Sequence, residues 1–188
     1  YSGLPLLTST VSVKDLVADV VQLFRSEASA KRIAFHVEMP DDDVAITADR
    51  RRLLRVLINL VHNALKFSPQ GGTITVAVQV ETREYTGGED PGTLSSQATI
   101  QVADEGPGIA PEDLPHLFEM FGRRKNPGDI RIGRGLGLHF CRLVVAAHRG
   151  MIRAENRSSG GAVFSVELPV NQEAYAGHIA DCRGSKAL

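Results

Sequence analysis

The sequence predicts a two-layer α+β sandwich, on three observations. Two segments repeat apolar residues at helical spacing, Leu16, Val20, Leu23 and Phe24 in one and Leu53, Leu57, Leu60, Val61 and Ala64 in the other. Others alternate apolar and polar residues with the period of a half-buried strand, most clearly Ile74, Val76, Val78 and Val80 between Thr73, Thr75, Ala77 and Gln79. Strands followed by segregated helices suggest two layers.

In order, Ser12 followed by Asp15 opens a helix that the spacing extends to about Lys31. Ile33, Phe35 and Val37, then Val44 and Ile46, flank Pro40 and three aspartates and predict a small hairpin. Asp49 caps the second helix, which ends near Phe67, and Ser68-Pro69-Gln70-Gly71-Gly72 is a turn into the strand at 73–80. Residues 82–97 read as a long hairpin loop, followed by a strand at Ala98–Ala103 and a short helix near Glu112–Met120. A flexible basic segment, Gly122 to Arg134, precedes a helix marked by Leu138, Cys141, Val144, Val145 and His148 that stops at Gly150. Strands at Met151–Glu155 and Ala162–Leu168 flank a Ser-Ser-Gly-Gly turn, and Pro169 closes the domain. The organisation expected is a linker from an upstream segment over residues 1–11, one domain over 12–169, and a tail or linker over 170–188.

Composition narrows the class. The chain has 188 residues, 43% hydrophobic and 23% charged, which suits one packed domain rather than a disordered or fibrous chain. Its net charge of −1 supplies no basic field for nucleic acid. Cys141 and Cys182 have neither metal-ligand spacing nor the density of a disulfide scaffold, and no run reaches the roughly 18 apolar residues of a spanning helix, so a cytoplasmic domain is expected. The opening at Tyr1 suggests a piece of a longer protein, with room for a membrane anchor upstream.

Three patterns carry chemistry. On the second helix Arg52, Arg55, Asn59, His62, Asn63 and Lys66 share a polar arc opposite the leucine stripe. A solvated face explains charge on a helix, but solvent does not select asparagines at i and i+4; an Asn oxygen suits a hydrated Mg²⁺ held mostly by phosphates, and Lys66 can balance phosphate charge. In Asp104-Glu105-Gly106-Pro107-Gly108 a carboxylate ends a strand beside two glycines. This is either an ordinary Asp turn or a reader of a ligand amino group, since a carboxylate only accepts hydrogen bonds. Gly133-Arg134-Gly135-Leu136-Gly137-Leu138 opens a helix, where N–H groups can cradle phosphates or simply form a flexible turn. It is neither a Walker loop nor a Rossmann fingerprint.

The order Asn-x-x-x-Asn-Ala-x-Lys-Phe, Asp-x-Gly-x-Gly, Phe-x-x-Phe and Gly-x-Gly-Leu-Gly-Leu, closed by Gly160-Gly161-Ala162-Val163-Phe164, resembles the catalytic and ATP-binding domain of sensor histidine kinases, over about Ser12 to Pro169. The resemblance implies a mixed, mostly antiparallel sheet covered on one face by about three helices, with a flexible ATP lid, and ATP and Mg²⁺ as cofactors. It makes Asn63 the Mg²⁺ ligand with Asn59 beside it, Lys66 a neighbour of the phosphates and Asp104 the adenine reader, with Gly106 and Gly108 shaping the adenine pocket. Phe121 packs the base of the lid with Phe118, although plain core packing explains both phenylalanines equally well. Arg123 and the lid residues Gly133, Gly135, Leu136, Gly137 and Leu138 complete the implied ATP-binding set.

Two departures refine this. The family's phosphoacceptor is a His followed by an acidic residue and an Arg-x-Pro pattern, and none of His36, His62, His116, His139, His148 or His178 has that context. Each reads as structural or exposed. The related chaperone, gyrase and mismatch-repair ATPases place a Glu four residues before the Mg²⁺-binding Asn, where this chain has Asn59, and an amide is no general base. The expectation is phosphoryl transfer to a histidine on a separate dimerisation domain upstream, with a response regulator as later partner, a homodimeric full-length protein and a monomeric isolated domain. The alternatives are a nucleotide-binding regulatory module without transfer and, disfavoured by Asn59, an anti-sigma-type protein-serine kinase.

Overall fold

A computed structural model describes residues 5–84, 94–120 and 136–170. The elements are β1 (Ser9–Ser12), α1 (Val13–Ala30), β2 (Ala34–Glu38), β3 (Ala45–Ala48), α2 (Arg50–Phe67), β4 (Thr73–Glu84), β5 (Leu94–Ala103), a single 3₁₀ turn (Leu114–His116), α3 (Leu136–Ala147), β6 (Met151–Asn156) and β7 (Ala162–Pro169). Five strands form one sheet in the order β2-β4-β5-β7-β6, and β1 pairs with β3 in a separate two-stranded sheet. Only β2 and β4 run parallel; the other pairs of the large sheet are antiparallel. The sheet is mixed, mostly antiparallel, and the three helices pack against it as the sequence predicts.

Helix α2 sits in the middle of the helical layer. Its residues Leu53, Val56, Leu57, Leu60, Val61, Ala64 and Leu65 are buried, in one core with Ile74, Val76, Ile100, Val102 and Val166 of the sheet. Helix α1 starts where Ser12 Oγ accepts the Asp15 N–H at 3.0 Å and stops at Arg32, whose φ of 55° turns the chain out of the helix. The buried arc of α1 is set by Val13, Leu16, Val17, Val20, Phe24 and Ala28. Leu23 falls at its margin, at roughly 100° per residue, and is exposed, against the sequence reading.

Three further expectations are corrected. The segments 33–37 and 44–46 do not pair as a hairpin: Ala34 of β2 lies opposite Thr73 of β4, while Ile46 of β3 lies opposite Val11 of β1. Alternation tells which side chains share a face and says nothing about the partner strand. The helix near 112–120 is reduced to the 3₁₀ turn, since Pro115 offers no N–H to a longer ladder. Strand β5 begins at Leu94, inside the stretch read as loop; residues 85–93 of that loop, the basic segment from Gly122 to Arg134 and the tail beyond residue 170 lie outside the described residues.

A polar cluster joins the ends of these elements. Asp49 caps α2 by accepting the Arg52 N–H at 3.1 Å on Oδ1, and its Oδ2 accepts the Leu7 N–H at 3.1 Å and the Arg52 Nε at 3.2 Å. The Asp49 N–H donates to Nε2 of the buried His148 at 2.9 Å, which leaves Nδ1 as the protonated nitrogen, donating to the Val144 carbonyl at 2.8 Å. His148 is thus structural, as its sequence context suggests. Burial alone would raise the Asp49 pKa, but the Leu7 and Arg52 N–H groups and the Arg52 charge outweigh it and hold the carboxyl below its ordinary 3.8.

A depressed pKa means stability that is present above the ordinary carboxylate range and lost as the pH falls through the folded-state value. Asp49→Ala should therefore lose about 1–2 kcal/mol near neutral pH, the worth of a strong cap. The deficit, read from urea midpoints, should narrow in acid below the ordinary carboxylate range.

Candidate functional site

The implied site residues gather along the polar side and C-terminal end of α2. Asn59 and Asn63 are half-buried one turn apart, and Lys66 is exposed with Nζ 5.3 Å from the centre of the Phe67 ring. The Asn63 side chain is hydrogen-bonded to none of the described residues. From Asn59 to Phe67 the helix rises roughly 12 Å, and each end meets a different glycine motif. A Cβ at Gly137 would lie 3.5 Å from Asn59 Oδ1, so the start of α3 stands over the Asn59 end. A Cβ at Gly106 would lie 2.8 Å from the Phe67 carbonyl oxygen, so the loop after β5 closes on the other end.

Asp104 is built into that loop. It is 5% exposed, and its Oδ1 accepts the Gly106 N–H at 2.8 Å and the Ala162 N–H at 3.3 Å. Oδ2 receives no donor from the described residues. A carboxylate oxygen only accepts hydrogen bonds, so Oδ2 is open to an external N–H group. The backbone of Asp104 is held as well: its N–H donates to the Ala162 carbonyl at 2.9 Å, and its carbonyl accepts Arg157 Nη1 at 2.9 Å. Gly161 packs so closely, at φ 87°, that any Cβ would overlap the Asp104 carbonyl.

Several of these supports are invisible to motif reading. Asn156 grips the backbone of Ile109 at both ends, Oδ1 accepting its N–H and Nδ2 donating to its carbonyl, each at 2.7 Å. Gly108, at φ 77°, leaves room for that grip, since its Cβ would come within 2.8 Å of Asn156 Oδ1. Glu105 Oε2 accepts the Thr73 N–H at 2.9 Å and ties the loop to the start of β4. Only the neighbouring Gly160-Gly161 pair hinted at this role; Asn156 and Arg157 lie 47 and 53 residues from the groups they hold.

At the Asn59 end, Cys141 of α3 is fully buried, and burial pushes its thiol up to about 12, opposed by the Asn59 amide. Leu136 is exposed, and Leu138 packs against the core. Phe118 also packs there, as plain core packing requires, and its carbonyl lies 3.0 Å from His139 Nδ1. Arg55, of the polar arc, stacks over the Phe140 ring at 4.7 Å. Phe121, Arg123, Gly133 and Gly135 lie outside the described residues. Among the described residues no group of three or more His, Cys, Asp or Glu could hold a metal ion. A cation carried by phosphate oxygens, water and an amide oxygen requires none, so Asn63 and Asn59 fit that role.

Residues 48–172 match the family described as histidine kinase-, DNA gyrase B- and HSP90-like ATPase. The chain belongs to this family. Within it, the chain is an ATP-binding domain of the sensor histidine kinase type. It is 35% identical over 158 residues to the sensor protein KdpD of Clostridium acetobutylicum, covering 84% of this chain and 16% of that protein. It is 34% identical over 174 residues to the sensor histidine kinase TrcS of Mycobacterium tuberculosis, covering 93% of this chain and 32% of that one. The catalytic domain of histidine kinase ThkA has the same fold, with a TM-score of 0.68 and 29% identity over 86% of this chain and 97% of that structure. The chain thus spans well under half the length of these full-length relatives. No helix among the described residues is long and apolar enough to cross a membrane.

The Asn156 grip sets the order of the loop that follows Asp104. Asn156→Ala should cost about 1–2 kcal/mol for two lost hydrogen bonds. The protection of the Ile109 amide in native-state hydrogen exchange should fall by roughly tenfold.

Proposed function

We propose that this domain binds MgATP along α2 and supports transfer of the γ-phosphoryl group to a histidine on a separate helical dimerisation domain. The observation that carries the reading is the Asp104 carboxylate, fixed at Oδ1 by two backbone N–H groups while Oδ2 accepts nothing from the described residues, at the end of the strip that leads to Asn63 and Asn59. An adenine amine supplies the missing donor, whereas guanine presents a carbonyl at that position, so Asp104 selects ATP over GTP. Asn63 offers an oxygen to the hydrated cation, with Asn59 beside it, and Lys66 reaches the phosphates on its flexible stem. Bound ATP supplies the phosphoryl group and its Mg²⁺ neutralises charge; the protein's part is positioning.

The α2 strip contains no carboxylate that could act as a base on water: its polar arc is Arg52, Arg55, Asn59, His62, Asn63 and Lys66. That favours an incoming nucleophile with its own lone pair, such as an imidazole, over hydrolysis. In the whole protein we place this domain in the cytoplasm of a homodimeric two-component kinase whose phosphohistidine serves a response regulator.

Calorimetric titration with a non-hydrolysable ATP analogue tests the pocket. Asp104→Asn, which puts a donor where only acceptors fit, should weaken binding by about tenfold or more, the effect of one unpaired buried polar group, in a domain that remains folded. Asn63→Ala should weaken it chiefly when Mg²⁺ is present, and equal losses with Mg²⁺ and with a chelator would point to a fold defect.

Transfer is tested with γ-labelled ATP. The isolated chain should bind nucleotide without labelling itself, and a supplied dimerisation domain bearing the acceptor histidine should become labelled, slowly, because no tether raises its effective concentration. Label on this chain alone would contradict the reading, and label on neither would mark a regulatory nucleotide-binding module.

A further inference from the structure

The Asn59 side chain is held from α3. Its Nδ2 lies 3.7 Å from Cys141 Sγ, and that sulfur lies 3.8 Å from the Val56 carbonyl oxygen, within the same turn of α2. A thiol has one proton; with it directed at Val56, the sulfur lone pairs face the Asn59 amide as acceptors. Both ends of the amide lie near Gly137, Nδ2 at 4.0 Å from its Cβ position and the oxygen closer. Oδ1 is the atom nearest to the Cβ position of Gly137, at 3.5 Å, and it faces the first turn of α3 across space that the glycine leaves open.

We propose that Cys141 is a positioning residue that fixes the Asn59 amide with its nitrogen toward the buried sulfur and its oxygen outward on the side of the start of α3. The inference rests on the MgATP reading above and adds to it what decides the metal dependence of binding. An outward oxygen attracts a hydrated divalent cation and repels bare phosphate oxygens; an outward NH₂ does the reverse and donates to phosphate with or without metal. The two orientations of one amide thus give opposite responses to Mg²⁺, and a buried sulfur on the neighbouring helix selects between them. The nearby Arg55 guanidinium does not substitute for it, being stacked on Phe140 and offering no acceptor.

Cys141→Ala removes the acceptor, while Cys141→Ser keeps a small donor and acceptor at the same place. Two measurements separate positioning from packing. In ¹⁵N-resolved spectra of the free protein, the Asn59 NH₂ protons should exchange slowly with water in the wild type and in Cys141→Ser, and rapidly in Cys141→Ala. In calorimetric titration with a non-hydrolysable ATP analogue, Cys141→Ala should lose about tenfold in affinity with Mg²⁺, the usual effect of removing a group that orients a metal ligand. With a chelator it should lose less than about twofold, and Cys141→Ser should recover most of the Mg²⁺-dependent affinity.

Equal losses with Mg²⁺ and with chelator, wild-type affinity in a folded Cys141→Ala variant, or failure of Cys141→Ser to rescue would each overturn the proposal. So would fast exchange of the Asn59 NH₂ protons in the wild type. A wild-type chain that binds no nucleotide under either condition would instead overturn the MgATP reading, and this role with it.

Discussion

The structure depends on one helix having to satisfy two surfaces at once. Helix α2 buries an unbroken stripe from Leu53 to Leu65 between α1, α3 and the sheet, and the 3.6-residue period that builds this stripe also fixes where Asn59 and Asn63 emerge. Its rotation about its own axis is therefore set by dispersion and apolar burial, and the polar residues inherit their direction from the core. A small rotation that improved the position of Asn63 would expose Leu57 or Leu60, at roughly 1.5–3 kcal/mol for each large apolar side chain.

Around that helix the polar groups that matter are held by partners far away in sequence. The N-cap Asp49 is joined through its N–H to His148 at the end of α3, 99 residues on, and through its carboxylate to the incoming segment at Leu7. The Asp104 loop is held by Ala162, Arg157 and Asn156 from the last two strands and the turn between them. Each of these contacts is made by or to the backbone, so what it secures is chain path rather than side-chain identity. The Asp104 carboxylate is held at Oδ1 by two backbone N–H groups, and this fixes the direction in which Oδ2 faces.

The two edges of the large sheet differ in what they position. At β6 and β7 the register places Asn156 opposite Ala162, so the grip on Ile109 and the donor to Asp104 come from the same rung of one ladder. At β2, pairing is parallel to β4, and the hairpin suggested by alternation is replaced by two different sheets. The short runs 33–37 and 44–46 carry the right face polarity for either arrangement, and the choice was made by partners elsewhere in the chain.

By itself the sequence determined the helices α1 and α2 with their caps at Ser12 and Asp49, the alternation of β4, the segregation of layers, and the motif order that marks the family. All of these are local: periodicity, capping and glycine spacing are written within a turn or a strand of the residues they govern. Asn59, Asn63, Asp104, Gly106, Gly108 and Gly137 were legible as candidates for the same reason. Which strand pairs with which, why Leu23 faces solvent, how Asn156 and Arg157 support the Asp104 loop and which way the Asn59 amide faces were decided only in the tertiary structure. The pairings of β1 with β3 and of β2 with β4 join residues 33 to 39 positions apart and the hydrogen bonds residues 47 to 99 apart, and their energies depend on geometry that no window of sequence contains.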